Sequence, residues 1–254
     1  MKVVIFAGGF GTRLAEETRI VPKPMVRIGE HPMLWHIMSW YAKFGFKDFV
    51  IALGYKSTTI KEYFLHYNSL SNDFEINLGT GDIRVINKLG NDWKVSLIDT
   101  GLNTMTGGRL KRLQNHLGDH TFMATYGDGL STINIESLLN FHRESGKIAT
   151  VSAVFPTARF GELELDSKSN VKSFREKPQL ENGRINGGFF VFEPSIFNYL
   201  HDDNTILERE PLEGLVNDGE LAAFRHDGFW QSMDTLREKH LLEELWNTNK
   251  APWK

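Results

Sequence analysis

The sequence predicts an α/β fold with a mixed, mostly parallel central sheet flanked by helices, and three observations carry that expectation. Val3 to Ala7 is an unbroken apolar run rich in β-branched residues, the pattern of a strand buried on both faces, and it leads straight into Gly8, Gly9 and Gly11. Pro32 to Phe44 then carries Leu34, Trp35, Ile37, Met38, Trp40, Tyr41 and Phe44 on a wide apolar face at helical spacing, with Pro32 at the first helical position. Phe49–Leu53 reads as a second buried strand and Lys56 to Tyr67 as a second helix, so residues 1–67 follow the strand–loop–helix–strand–helix order of a doubly wound fold.

The rest of the chain extends this pattern. Residues 68–100 are less regular, with short strands at Ile83–Ile86 and Val95–Ile98 whose pairing the sequence does not fix. Thr106 to Arg112 reads as an amphipathic helix that Thr106 caps, Thr121–Tyr126 as a strand ending in Gly127-Asp128-Gly129, Ile133–Ser145 as a helix and Ala149–Phe155 as a strand. Beyond that point Gly161–Asp166 and Val171–Glu176 are short alternating strands around the turn Ser167–Asn170. Ile185–Glu193 is a longer strand, Pro194–Leu200 and Leu207–Asn217 are short helices, Leu221–His226 is a strand and Thr235–Asn247 a closing helix. With no repeat or linker in between, residues 1–254 read as one α/β domain with a smaller β-rich insertion in its C-terminal half.

Composition narrows the function. A net charge of −3 offers no general basic field for nucleic acid or an anionic membrane. The chain has no cysteine, which removes disulfides, thiolate metal sites and a cysteine nucleophile. No apolar run approaches the roughly 20 residues of a membrane helix, and the first apolar run is too short for a signal peptide, so a cytoplasmic enzyme is the expectation.

The glycine loop is the first candidate site. Glycines let backbone N–H groups close in on a ligand, and such a loop after a strand is suited to cradling phosphate. Arg13 adds a planar cationic fork that matches phosphate oxygens. Leu14 stands where a dinucleotide fingerprint needs a third small residue, and the Gly-Lys-Ser/Thr ending of a P-loop is missing. A plain glycine turn is the alternative, weighed against Lys23 held between Pro22 and Pro24 a short loop later.

Asp128 sits between two glycines at a strand's C-terminal end, where open α/β sheets bind ligands and a carboxylate can hold Mg²⁺; an ordinary Gly-Asp-Gly turn is the alternative. Asp234 precedes the last helix, as a second metal ligand or as a capping acid. Lys177, in FREKP, faces either an anion or solvent, and Lys111 and Arg112 read as the polar face of their helix. The histidines show no ligand spacing, since Gly118 and Asp119 interrupt the helix that would align His116 with His120. A direct displacement at phosphorus needs no histidine or serine nucleophile.

GGFGTRL followed by PKPM resembles the signature of the sugar-nucleotide pyrophosphorylases, which join a nucleoside triphosphate to a sugar 1-phosphate. The resemblance runs over nearly the whole chain through DTGLNTMTGGRLKR, TYGDG, FREKP, INGGFFV, FWQSMDTLRE and APWK; MTGGRLKR, FWQSMDTLRE and APWK resemble the cytidylyl branch in particular. It implies a Rossmann-like domain, a Mg²⁺-dependent sequential reaction of CTP with glucose 1-phosphate giving CDP-glucose, and a homo-oligomer. By position it implies a nucleotide site at Phe6, Ala7, Gly8, Gly9, Phe10, Gly11, Thr12, Arg13, Lys23, Thr104, Arg109 and Gly127, with Arg13 and Lys23 catalytic and Thr104 and Arg109 at the base and ribose. It implies Mg²⁺ on Asp128 and Asp234, and a sugar phosphate facing Glu162, Lys177, Asn186 and Gly188, which would make the β-rich insertion sugar-binding. Phe10 departs from the leucine common in this loop, and residues 68–95 match poorly. A uridylyl- or thymidylyltransferase and a non-catalytic nucleotide-sugar sensor remain the alternatives; Leu14 disfavours a nicotinamide dehydrogenase.

Overall fold

The computed structural model describes residues 1–87, 90–156, 162–167, 169–175 and 183–254, with backbone alone at 162–165, 174 and 175. Nine of its strands matter to the site: β1 (Lys2–Phe6), β2 (Asp48–Leu53), β3 (Lys94–Asp99), β4 (Phe122–Tyr126), β5 (Gly129–Ser131), β6 (Ala149–Val154), β7 (Ile185–Phe192), β8 (Leu221–His226) and β9 (Trp230–Ser232). The helices are α1 (Met33–Lys43), α2 (Ser57–Leu65), α3 (Thr106–Arg112), α4 (Ile135–Ser145), α5 (Glu210–Asn217) and α6 (Leu236–Asn247).

Seven strands form the central sheet in the order β8-β6-β7-β4-β1-β2-β3. All neighbours are parallel except β7, which runs antiparallel to both β4 and β6. The expected mixed, mostly parallel sheet is present. Strand side chains alternate between faces, and β1 is apolar on both. Val3 and Ile5 join a core with α1, α6 and the C-terminal Trp253, while Val4 and Phe6 join a second core with Leu110, Phe190 and Phe197. Helix ends carry ordinary signals. The Asn134 side chain accepts the Ser137 N–H at 2.8 Å and Gly146 ends α4 with φ 62°. Thr235 opens α6 with a capping box closed by Glu238.

Several boundaries differ from the sequence reading. Pro32 is not the first helical residue; it is extended (φ −68°, ψ 155°) and pairs with Arg27 in a two-residue ribbon. The second helix stops at Leu65, and after His66 a separate turn, Tyr67–Leu70, begins. Met105, not Thr106, is the N-cap of α3. Thr106 accepts the Leu207 N–H instead, at 3.0 Å, and α5 starts only at Glu210. Residues 194–199 are 3₁₀ rather than α. Phe74–Ile76, β5 and β9 are three-residue strands that the sequence reading did not find, since three residues are too few for a period of two to show. The C-terminal half carries the expected extra hairpin, Glu162–Leu165 with Val171–Arg175.

Candidate active site

The chain passes from β1 outward to β2 and β3, then returns to the other side of β1 with β4. That reversal leaves a crevice beyond the C-terminal ends of β1 and β4, where open α/β sheets bind ligands. Phe6 is level with Tyr126 in the β1–β4 register, so the glycine loop and Gly127-Asp128 begin side by side. The Gly127 N–H donates to the Phe6 carbonyl at 3.0 Å. A Cβ on Gly127 would lie 2.7 Å from that oxygen and 2.9 Å from Pro24 Cγ, so only glycine lets the three loops meet.

Asp128 and Asp234 are far apart in sequence and are brought together by the ribbon of β5 and β9. Ser232 pairs with Gly129, and the Met233 N–H donates to the Asp128 carbonyl at 2.8 Å. Between the two carboxylates lies Lys23, its Nζ 2.5 Å from Asp128 Oδ2 and 2.7 Å from Asp234 Oδ1. The exposed Arg13 reaches the same Asp234 oxygen with Nη2 at 2.9 Å. Burial alone would push the Lys23 ammonium down, but Asp128 and Asp234 outweigh it and hold it above its ordinary value. Burial likewise opposes ionisation of Asp234, and Lys23, Arg13 and Ser232 overcome it, leaving the carboxyl below its ordinary value. Asp234 is not a helix cap: Thr235 caps α6, and the Asp234 N–H donates to Glu238 at 2.7 Å while its side chain turns to Lys23.

Two cavities meet here. One, of about 480 Å³, is lined by the whole glycine loop from Phe6 to Arg13 and by Lys23, Thr104, Arg109 and Gly127, so the structure brings every expected nucleotide-side residue to one wall. The other, of about 410 Å³, holds Asn186, Gly188 and Asp234, with Glu208, Trp230 and Ser232, which the sequence reading did not single out. Arg13, Tyr126 and Asp128 line both. Asn186 and Gly188 reach this place because β7 runs antiparallel to β4, which sets the start of β7 beside the end of β4. Lys177 lies outside the described residues, and for Glu162 the description extends only to its strand backbone.

Arg109 stands in the cavity wall with its donors turned inward. Its guanidinium donates to the carbonyls of Leu53, Gly101, Gly8 and Leu102 at 2.7–3.2 Å and to Thr100 Oγ1 at 2.8 Å. These bonds tie the glycine loop to the ends of β2 and β3, while Arg109 also lines the cavity that holds the other expected nucleotide-side residues. Gly8 and Gly54 make room for it: a Cβ on either would fall within 2.5 Å of Arg109 Nη1.

Two carboxylates in a phosphate-loop crevice are hard oxygen donors suited to a small divalent cation that takes its other ligands from water and phosphate. Among the described residues no group of three or more acidic or histidine side chains forms a fuller cage.

Residues 2–231 match the nucleotidyl transferase family, and the chain belongs to it. It is 50% identical over its whole length to the glucose-1-phosphate cytidylyltransferase of Salmonella typhi, of which it covers 99%. Within the family it therefore falls in the glucose-1-phosphate cytidylyltransferase branch. It is 30% identical to a mannose-1-phosphate guanyltransferase of Aspergillus oryzae over 95% of this chain and 62% of that protein. The crystal structure of HddC from Yersinia pseudotuberculosis shares the fold, with a TM-score of 0.72 at 24% identity, covering 96% of this chain and 99% of that one.

The two glycines of the loop separate packing from ligand approach. Gly8→Ala drives a Cβ into Arg109 and should cost about 1–3 kcal/mol of stability. Around Gly9 nothing lies within 4 Å of a Cβ, so Gly9→Ala should stay within about 0.5 kcal/mol of wild type while weakening nucleotide binding. Thermal unfolding and a nucleotide titration measure both; wild-type binding by Gly9→Ala would show that no ligand approaches that backbone.

Lys23→Met leaves two facing carboxylates without the cation between them. Asp234, buried and facing Asp128 with only Arg13 and Ser232 left to offset its burial, then ionises less readily in the folded than in the unfolded chain, so the variant should gain stability as pH falls from about 7 to about 5. Wild type should not, because a depressed Asp234 contributes fully above the ordinary carboxylate range and loses that contribution as pH falls through its folded pKa. Urea midpoints across this range provide the check, and parallel curves for the two proteins would contradict the bridging arrangement.

Proposed function

We propose that this chain transfers the cytidylyl group of CTP to α-D-glucose 1-phosphate, forming CDP-glucose and releasing pyrophosphate. The observation that carries the reading is the junction of the two cavities at Arg13, Tyr126 and Asp128, which suits a reaction between two anionic substrates approaching from opposite sides. The choice of cytidylyl over uridylyl or thymidylyl rests on the 50% identity to the Salmonella typhi enzyme. A binding-only sensor would have no use for two acids and a buried lysine gathered at that junction.

In the proposed reaction a phosphate oxygen of the sugar phosphate bonds to the α-phosphorus of CTP, and the bond to the bridging oxygen breaks in line to release pyrophosphate. The amides of the Gly8–Gly11 loop and the Arg13 fork hold the leaving phosphates, and Lys23 places its ammonium where charge builds on the attacked phosphoryl group. Asn186 and Gly188 border the sugar side, with Glu162 and Lys177 kept as its further residues. A divalent cation on Asp128 and Asp234, magnesium in this proposal, supplies charge neutralisation to the phosphates. We take residues 1–254 as one catalytic unit. No helix among the described residues is long and apolar enough to cross a membrane, and a cytoplasmic setting is part of the proposal.

Pyrophosphate release should follow when CTP and glucose 1-phosphate are supplied with Mg²⁺, and UTP, dTTP and GTP should serve poorly. Asp128→Asn should lose about a hundredfold or more in turnover with its fold intact. Equal use of all four nucleotides, or near-normal turnover by Asp128→Asn, would contradict the reading.

The expected homo-oligomer has a candidate contact. In the hairpin Phe74–Ile76/Ile83–Val85, Phe74 pairs with Val85 and Ile76 with Ile83, which puts four exposed apolar side chains on one face. Glu75 and Arg84 form an ion pair at 2.8 Å on the other face. Leu70, Leu78 and Ile86 are exposed beside it. An isolated two-stranded hairpin is marginal in water, and apolar patches of this kind mark interfaces. A second copy offers the same strip, so each copy covers the other's. The double variant Ile76→Asp, Ile83→Asp should lower the sedimentation mass relative to wild type; equal masses would exclude this contact.

A further inference from the structure

Glu208 carries none of the roles given so far, yet it is held in place from two sides. The Tyr126 hydroxyl donates to its Oε1, and Thr106 Oγ1 donates to its Oε2 at 2.7 Å. Both donors are themselves fixed. Thr106 sits in the first turn of α3 and accepts the Leu207 N–H at 3.0 Å. Tyr126 ends β4 with its ring against Gly188, where a Cβ would come within 2.4 Å of Tyr126 Cδ2. Phe6 and Phe190 flank the same ring, at centroid distances of 6.0 Å and 5.7 Å.

Thr106 and Tyr126 both line the first cavity, whereas Glu208 itself lines the second. A carboxylate has about four acceptor positions, and two hydroxyls fill two of them. The others belong to an exposed, oriented anion in a cavity that also presents the Asn186 amide and the Ser232 hydroxyl. A fixed carboxylate is an unfavourable neighbour for a phosphate, which Arg13 serves better. It is a favourable partner for neutral hydroxyl donors, with which it forms charge-assisted hydrogen bonds at little ordering cost.

We propose that Glu208 accepts hydrogen bonds from hydroxyl groups of the hexose and so determines which sugar the second cavity takes. This rests on reading that cavity as the sugar-phosphate side of the proposed reaction. A site built to pair a hydroxyl rejects the analogue that lacks it, because the acceptor is left unpaired.

The test is steady-state kinetics of wild type, Glu208→Ala and Glu208→Gln with CTP and either glucose 1-phosphate or each of its singly deoxygenated analogues. Glu208→Ala should raise the KM for glucose 1-phosphate about tenfold or more, with the KM for CTP within about twofold of wild type. Wild type should penalise at least one deoxy analogue about tenfold, and Glu208→Ala should treat that analogue like glucose 1-phosphate itself. Glu208→Gln, which keeps an acceptor and the side chain's length, should recover part of the affinity; it also serves as the test protein if Glu208→Ala loses its fold. An equal rise in both KM values, or an unaltered ranking of the analogues, would overturn the proposal. No CDP-glucose from wild type would overturn the functional reading and this inference together; CDP-glucose with unchanged sugar kinetics in the variants would overturn this inference alone.

Discussion

A buried ammonium held between two carboxylates is the constraint on which the rest of this site depends. Lys23 is 9% exposed, and a charge so withdrawn from water is costly unless it is paired and hydrogen-bonded. Asp128 and Asp234 provide that pairing from the middle and the closing part of the sequence, so the end of the chain must return to the crevice that the first strand opens. The β5–β9 ribbon accomplishes this with three-residue strands, and the Met233 N–H bonded to the Asp128 carbonyl fixes the spacing of the two acids. The prolines on either side of Lys23 limit how its short 3₁₀ turn can rearrange.

A second cation is secured in another way. Arg109 is 4% exposed and its guanidinium is bonded to four carbonyls and a hydroxyl, with burial pushing it below its ordinary value. It holds the glycine loop from behind while Lys23 and Arg13 approach the crevice from the front. A polyphosphate between them would meet loop amides and positive charge without the backbone having to reorganise, the arrangement by which electrostatic preorganisation lowers a barrier. The acids on the front side keep that charge in position and, in the proposed reaction, would offer oxygen donors to a divalent cation.

Much of this was legible in the sequence because the signals are local. Val3–Ala7 announces a doubly buried strand, and Gly8, Gly9, Gly11, Lys23 and Asp128 each sit in punctuation that marks a loop after a strand. What was not legible is what depends on pairing across distance. Asp234 stands where a capping or first-turn acid is the ordinary expectation, and only the structure gives that role to Thr235. Arg109 lies in a motif that marks the nucleotide side, yet nothing in TGGR tells whether its fork faces the ligand or the loop's own carbonyls. Glu208 lies just before a helix start that Pro211 marks, a signal that says nothing of a ligand, and gains its place only from two hydroxyls whose residues are remote in sequence.

The most direct measurement is anomalous diffraction from crystals grown with CTP and Mn²⁺, a redox-stable stand-in for Mg²⁺ with a usable anomalous signal. If Asp128 and Asp234 are one metal-holding pair and Lys23 a phosphate ligand drawn from between them, a peak falls in contact with both carboxylates and the Lys23 ammonium is found on a phosphate oxygen. A peak away from either acid, or Lys23 still bridging both carboxylates with nucleotide bound, would contradict the central claim.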